Sequence, residues 1–391
     1  MSAQLQCAGL IGIAHKLYDK PKGISGPGYL MAVKKKETLW QLIAKQKKPS
    51  REAYFKLVHR VVGFVVLLLV ASLIVFIGIA VFSKGGLLEV LGTIEHANVL
   101  IYLLAFVFQF LSFFVRFFKW RYYLRILKIK ISEVKNFIIY LSLYAMNLTP
   151  GRIGRVVSAY TVDRVSDTHF VEILPIVSVD IFTDFLGFVV LSLIFGVLFI
   201  TYLPFVLIVD FVILLPFVFI LNPWLFDILK KRIFRGKLSE VFALYGEEYF
   251  ASQSKLNTPR VYLLSLLFTV PAYFLTSLSL YLSLHALGVN VPVLKSVLVY
   301  IVSVLIGIVS FIPGTIGSAD VAMVALISST FGISSSVSAA ATIMTRLATL
   351  WFGVALGSGF LFFSFRYWFS SKKLGRIYTH SRKVKTGKRH V

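Results

Sequence analysis

Asn147-Leu-Thr-Pro-Gly-Arg-Ile-Gly154 returns in altered form as Ser310-Phe-Ile-Pro-Gly-Thr-Ile-Gly317. Each string sets Pro-Gly-x-Ile-Gly at the end of an apolar run too short to span a bilayer. Proline lacks the donor a helix interior needs, and glycine loses the most freedom on being ordered, so both stop a helix. Broken backbone at membrane depth is tolerated only where it is buried in protein or lines a polar cavity. A matched pair of such breaks points to a transport site between two repeats. The expectation is movement of a substrate across a membrane rather than its chemical conversion.

Composition agrees with a membrane setting. Of 391 residues, 58% are hydrophobic and 15% charged, and mean hydropathy is +0.83. An ordinary soluble fold is excluded in favour of an all-α, polytopic helical membrane protein. The 36 Phe and 18 Tyr suit lipid-facing and interfacial positions. The net charge of +24 would suggest nucleic acid in a soluble domain. Here the basic residues lie in tails and loops beside apolar runs, so an anionic membrane surface is the expected partner and nucleic acid is not. The single Cys7 leaves no intramolecular disulfide, and no Cys/His cluster reads as a metal site. No cleavable signal is evident near the start, and Met31 offers a second start position.

Apolar runs of spanning length fall at 61–82, 98–118, 171–200, 203–222, 261–284 and 337–364, each near or above the ~20 residues required. Lys and Arg concentrate in 1–60, 116–135, 223–260 and 366–391, while 83–97, 201–203 and 285–295 hold almost none. That alternation predicts a cell-membrane protein with both termini cytoplasmic. The domain plan is then a basic N-terminal segment 1–60 (with 1–36 disordered), a transmembrane domain 61–365, and a basic tail 366–391. Stretches 136–165 and 296–333 must each begin and end on one side. Residues 136–149 would rise only about 21 Å as a helix, short of the ~30 Å hydrocarbon core. Both stretches therefore read as re-entrant hairpins of opposite orientation, added to six full spans. Two full crossings in each stretch would orient the loops identically. The regions also align: Leu127, Ile129, Ile131, Lys135 and Tyr140 correspond to Leu287, Val289, Val291, Lys295 and Tyr300, and Thr183 and Gly187 to Thr349 and Gly353. This is the pattern of an inverted repeat.

Charge at membrane depth marks the candidate site. Asp180 and Asp184 lie one turn apart on one helical face, and the repeat alignment sets Arg346 opposite Asp180. A lone charge there costs at least ~2.5–3.5 kcal/mol, so each needs a partner. Two readings fit: a buried Asp–Arg pair that fixes helix register, or a path in which Arg346 alternates between carboxylates and an anionic substrate. Helices starting at Gly151 or Gly314 would present free N–H groups and a positive dipole end to an anion. Arg152 and Arg155 would add charge-assisted bonds at the first tip, and Thr315, Ser318 and Asp320 would add hydroxyls and a carboxylate at the second. A plain helix–turn–helix with capping residues accounts for the same strings. Arg116, Lys119, Trp120, Arg121, Tyr122, Tyr123 and Arg125 read first as an interfacial anchor and otherwise as a headgroup-gathering patch. Segment 225–250 is amphipathic and suits the cytoplasmic interface. Asp210 receives no role. No nucleotide loop, catalytic triad or paired-carboxylate site appears, so no catalytic residue, metal or cofactor is expected.

These residues carry a resemblance. From about Phe114 to Phe363 the chain resembles the lysylphosphatidylglycerol synthase transmembrane region, the flippase-like or UPF0104 family. The likeness rests on Arg116/Lys119-Trp120, Asn147-x-x-Pro150-Gly151-x-x-Gly154, Asp180-x-x-x-Asp184, Ile312-Pro313-Gly314-x-x-Gly317 and Arg346. Arg155 stands where the family carries an acidic residue, and Asp180-Ile181 where it carries Glu-Arg. The resemblance implies a lipid flippase for aminoacylated phosphatidylglycerol or polyprenyl-linked lipids. The leading expectation is a stand-alone transporter, not an enzyme, for an anionic phospholipid or a polyprenyl-phosphate lipid. Its expected substrate-binding residues are Asn147, Pro150, Gly151, Arg152, Arg155, Asp180, Asp184, Pro313, Gly314 and Arg346. Membrane lipids are the expected partners, and assembly as a homo-oligomer stays open. The alternative is an integral-membrane lipid-modifying enzyme, or an accessory subunit of a lipid-glycosylation or aminoacylation system.

Overall fold

Why the helices begin where they do is readable from their caps. Asn98 accepts backbone N–H bonds from Leu100 and Ile101 at 3.1 and 3.2 Å, satisfying donors that a helix start leaves free. Thr258 does the same for Val261, with Pro259 in the first turn, and Ser334 for Val337. The computed structural model describes residues 51–369 apart from 84–85, 167, 169, 199, 201–202, 222–248 and 311. Most of the expected N-terminal segment, most of the amphipathic segment 225–250 and most of the basic tail lie outside the described residues.

The described elements run α1 (Arg51–Phe82), α2 (Gly86–Glu95), α3 (Val99–Ile126), α4 (Glu133–Ser142), α5 (Val156–Val165), α6 (Phe170–Leu198), α7 (Leu203–Leu221), α8 (Pro259–Ala286), α9 (Val293–Val309), α10 (Ser318–Phe331), α11 (Ser335–Arg346) and α12 (Phe352–Phe369). Short 3₁₀ turns, Leu143–Met146, Pro150–Arg155 and Pro313–Thr315, occupy the two breaks. A π turn, Leu347–Trp351, joins α11 to α12. No strand occurs among the described residues. Five helices there are long and apolar enough to cross a membrane, or up to six if the bent α1–α2 pair counts as one span. Their outer faces keep Leu100, Leu103, Val107, Leu263 and Leu267 exposed. An apolar exterior on this scale requires lipid around it, and the chain is a multi-pass membrane protein.

Helices α3 and α8 lie against one another and are tied by hydroxyls. Ser112 and Thr276 share a bond of 2.8 Å, and the Tyr123 hydroxyl donates to Ser265 Oγ at 2.8 Å. In lipid, where apolar surfaces gain little by meeting, such bonds and close packing hold helices together. Gly187 of α6 is one close approach, since a Cβ there would sit 2.3 Å from Thr269 Cγ2 of α8. Helix α6 joins two apolar clusters. Ile173 and Ile176 pack with Trp120, Tyr123 and Ile139, while Phe188 and Leu191 pack with Leu280, Val297 and Met323. Asp180 and Asp184 fall between these two groups of residues.

The backbone takes one local path twice. Helices α3 and α8 end at Leu127 (φ −82°, ψ 4°) and Leu287 (φ −83°, ψ 8°). Each is followed by a left-handed residue, Lys128 at φ 57° and Gly288 at φ 76°. The N–H of Ile129 then reaches Leu124 O at 2.9 Å, and that of Val289 reaches Leu284 O at 3.0 Å. These are paired helix-ending motifs of one kind. The breaks match as well: the central residue of Pro-Gly-x-Ile-Gly is left-handed in both, Arg152 at φ 58° and Thr315 at φ 57°.

The arms of the two breaks differ from expectation in one respect. Helix α4 and its 3₁₀ turn end at Met146, and α5 holds 10 residues, so neither arm reaches across the hydrocarbon core at 1.5 Å per residue. The second break continues through Pro313–Phe331, whose 19 residues are long and apolar enough to span. Asp320 caps the start of α10 by accepting the Gly317 N–H, and the helix runs on to a left-handed Gly332.

Candidate functional site

The charges at membrane depth form two networks. In the first, Asp180 and Asp184, four residues apart on α6, turn the same way. Lys119 of α3 reaches Asp180 Oδ1 at 3.0 Å and Asp184 Oδ1 at 2.7 Å. Its third donor bonds Thr183 Oγ1 at 3.2 Å. Arg155, at the start of α5, gives one nitrogen to Asp180 Oδ2 at 2.8 Å and Asp184 Oδ2 at 3.0 Å. Its Nε and Nη2 bond Asn147 Oδ1. Arg152, on the tip itself, reaches Asp184 Oδ2 at 2.7 Å and the Tyr273 hydroxyl at 3.0 Å. Each carboxylate oxygen therefore has a cationic donor, the condition under which buried ions are tolerated.

The second network holds the other tip. Arg346, the last residue of α11, pairs through Nε with the Asp320 carboxylate. Its Nη2 donates to Thr315 O at 3.1 Å and Thr315 Oγ1 at 3.0 Å, bracing the left-handed Thr315. Asp320 also accepts the Gly317 N–H at 2.7 Å. The expected pairing of Arg346 with Asp180 and Asp184 does not form. Those carboxylates are taken by Lys119, Arg152 and Arg155, and Arg346 is turned to the second hairpin. The start of α10 is likewise already capped by a carboxylate, so it is not the open anion site that the Gly314 turn suggested.

Between the tips lies a cavity of about 460 Å³. Arg116, Arg152 and Arg346 line it, with Gln109, Asn147, Thr149, Thr276, Thr315 and Thr349 as polar neighbours. Tyr144, Tyr273 and Tyr300 add rings and hydroxyls, and Leu174, Val304, Ile308, Val309 and Ile312 make an apolar side. Gly314 lines it, and Leu148 of the first tip lies 2.8 Å from where a Gly314 Cβ would stand. Asp180, Asp184 and Asp320 sit behind the guanidinium groups and outside the lining.

Of the residues expected to bind substrate, the structure brings Asn147, Arg152, Gly314 and Arg346 to the cavity. Arg155 is buried against the two carboxylates and does not line it. Asp180 and Asp184 hold the cations rather than face the space. Pro150, Gly151 and Pro313 shape the turns that place the tips.

The reading of 116–125 as an interfacial anchor needs correction. Arg116 is 4% exposed, and Lys119, Trp120 and Tyr123 are 0% exposed. Arg121, paired with Glu133, Tyr122 and Arg125 keep some surface exposure. Ser112, Arg116, Lys119 and Tyr123 recur at helical spacing, a single inward stripe of α3. That periodicity was the signal available, and the abundance of cations and aromatics at a span end hid it. Tyr273, a neutral residue in a run of apolar ones, carried no such signal.

A family description, "Lysylphosphatidylglycerol synthase TM region", matches residues 61–357. Over 85 residues the chain is 36% identical to a UPF0104 membrane protein of Methanothermobacter thermautotrophicus. That stretch covers 22% of this chain and 25% of the relative, so the match spans about a quarter of the relative's length. The Pro-Gly breaks, the charged stripe of α3, the paired aspartates and Arg346 all fall within the family's range. The chain belongs to the lysylphosphatidylglycerol synthase transmembrane-region family, a membrane-protein family tied by its name to lipid handling.

Proposed function

We propose that this protein is a transporter that carries an anionic phospholipid or polyprenyl-phosphate lipid between membrane leaflets. The observation that carries the reading is the cavity in which Arg116 of α3, Arg152 of the first Pro-Gly break and Arg346 of α11 converge. A headgroup would exchange its hydration for guanidinium contacts, which match phosphate geometry. The apolar side of the cavity suits the first carbons of an acyl or isoprenoid tail, whose remainder stays in the bilayer. The backbone path shared by 121–140 and 281–300 supports an inverted-repeat plan, with a re-entrant first break and a second break that runs on into a spanning segment. On that plan both termini are cytoplasmic, the host is the cell membrane, and the protein moves its lipid without modifying it.

Full-length protein reconstituted in liposomes with a labelled anionic lipid tests this directly. Relocation of the label between leaflets with unchanged lipid mass is expected. A mass change would favour a lipid-modifying enzyme, and relocation no faster than in protein-free liposomes would overturn the reading.

A further inference from the structure

The charges around the cavity do not balance, and we infer from the imbalance that its headgroup is a dianion. The class is a phosphomonoester or diphosphate, in preference to a phosphodiester or a cationic aminoacylated headgroup. This rests on the lipid-transport reading and narrows its substrate.

Lys119, Arg152 and Arg155 face Asp180 and Asp184, and Arg346 faces Asp320. Arg116 differs from all of these. Among the described residues, no carboxylate lies within 4.0 Å of its nitrogens. Five cations therefore meet three carboxylates, a surplus of two positive charges. Arg116 is held by neutral groups alone: Ser112 Oγ at 3.2 Å and the Tyr273 hydroxyl at 3.3 Å. Its guanidinium also lies 4.8 Å from the Tyr273 ring centroid and 5.3 Å from that of Tyr144.

The Tyr273 hydroxyl also accepts from Arg152 at 3.0 Å. Two guanidinium groups thus meet at one uncharged oxygen beside the cavity. Like charges so placed repel, and an anion in the cavity beside them would join them. A phosphomonoester carries about −1.5 to −2 at pH 7 and matches the surplus. A phosphodiester carries one charge and leaves a cation unanswered. An amine-bearing headgroup would find no carboxylate in the lining to receive it.

Gln109 gives an independent indication. It lies two turns before Arg116 on α3, is 3% exposed, lines the cavity, and its Oε1 has no hydrogen-bond partner. A buried unpartnered acceptor calls for a donor. That orphaned acceptor marks the space as one that a polar ligand enters, and the choice of a dianion rests on the charge count.

The test uses full-length protein in phosphatidylcholine liposomes. Acyl-labelled phosphatidic acid, a labelled polyprenyl phosphate, phosphatidylglycerol and lysylphosphatidylglycerol are compared by loss of label to a membrane-impermeant quencher. At pH 7.5 the phosphomonoesters are expected to outrun phosphatidylglycerol about tenfold, equivalent to roughly 1.4 kcal/mol. Whichever of the two runs faster names the tail. The advantage should shrink toward unity at pH 5, below the second phosphate pKa of about 6, because the arginines do not titrate in that range. Arg116→Gln should lower the ratio of the two rates, and Arg116→Lys should keep most of it. Equal or faster movement of phosphatidylglycerol or lysylphosphatidylglycerol by the wild-type protein would overturn the inference and leave the transport reading standing. Movement of none of the four would overturn both. The wild-type comparison and its pH series decide the matter even if Arg116→Gln does not fold.

Discussion

Arg346 and Asp320 are each at most 4% exposed and neutralise one another. Removing one partner strands the other in low dielectric, which costs ~3–5 kcal/mol. Arg346→Ala should therefore lower the melting temperature of the detergent-purified protein and reduce its yield. The double change Asp320→Asn, Arg346→Gln removes both charges, and it should recover most of that melting temperature. The amide oxygen that Asp320→Asn leaves in place can still accept the Gly317 N–H. Transport then separates two roles for Arg346. A double variant that melts normally but does not move lipid is expected, because the guanidinium lines the cavity. Near-normal transport would confine Arg346 to bracing the second tip. Sequence alone located both residues and the need for a partner, but it chose the wrong partner. A repeat alignment fixes which positions correspond across two spans. It does not fix which way a long side chain turns, and Arg346 turns toward a hairpin 26 residues earlier in the chain.

The helix ends make a sharper comparison, because the same turn is built once with lysine and once with glycine. An L-residue in the left-handed region is strained where glycine is not. Lys128 is exposed and its side chain is not needed for the turn. Lys128→Gly should raise stability by roughly 0.5–1 kcal/mol in a thermal melt, allowing for glycine's freer unfolded chain. Gly288→Ala should lower stability by a similar amount, and a fall in melting temperature for Lys128→Gly would show that this turn is not strained. Gly357 is a different case: a Cβ there would lie 2.3 Å from the Ala145 backbone N. Backbone cannot step aside as a side chain can, so Gly357→Ala should push α12 off the first break and cost ~1–3 kcal/mol. Sequence reading found the breaks because Pro and Gly act locally. It could not find the pressure of α12 on the first break, since nothing in one segment reports the distance to another. The spanning length of Pro313–Phe331 was missed for a related reason. How far α10 runs is set by its end at the left-handed Gly332 and not by the break at its start.

The orientation of the chain rests on where its basic residues fall, and that can be read by labelling. With Cys7 replaced by serine, a cysteine at Ser166 should react with an impermeant thiol reagent only from the cytoplasmic side, and one at Ser335 only from outside. Reaction of the Ser335→Cys variant from the cytoplasm would remove the inverted arrangement. Charge counting supplied this expectation because topology depends on sums over loops, which survive ignorance of every side-chain contact. The site itself needed α3, α6, α8, α9, α11 and both breaks brought together, and no local pattern encodes that. One contact has a further bearing on how such a protein can vary. Leu148 of the first break fills the space above Gly314 of the second so closely that a methyl group would lie 2.8 Å away. A side chain added at Gly314 would have to displace Leu148, so the two breaks can change only in concert, a substitution in one demanding an answering one in the other.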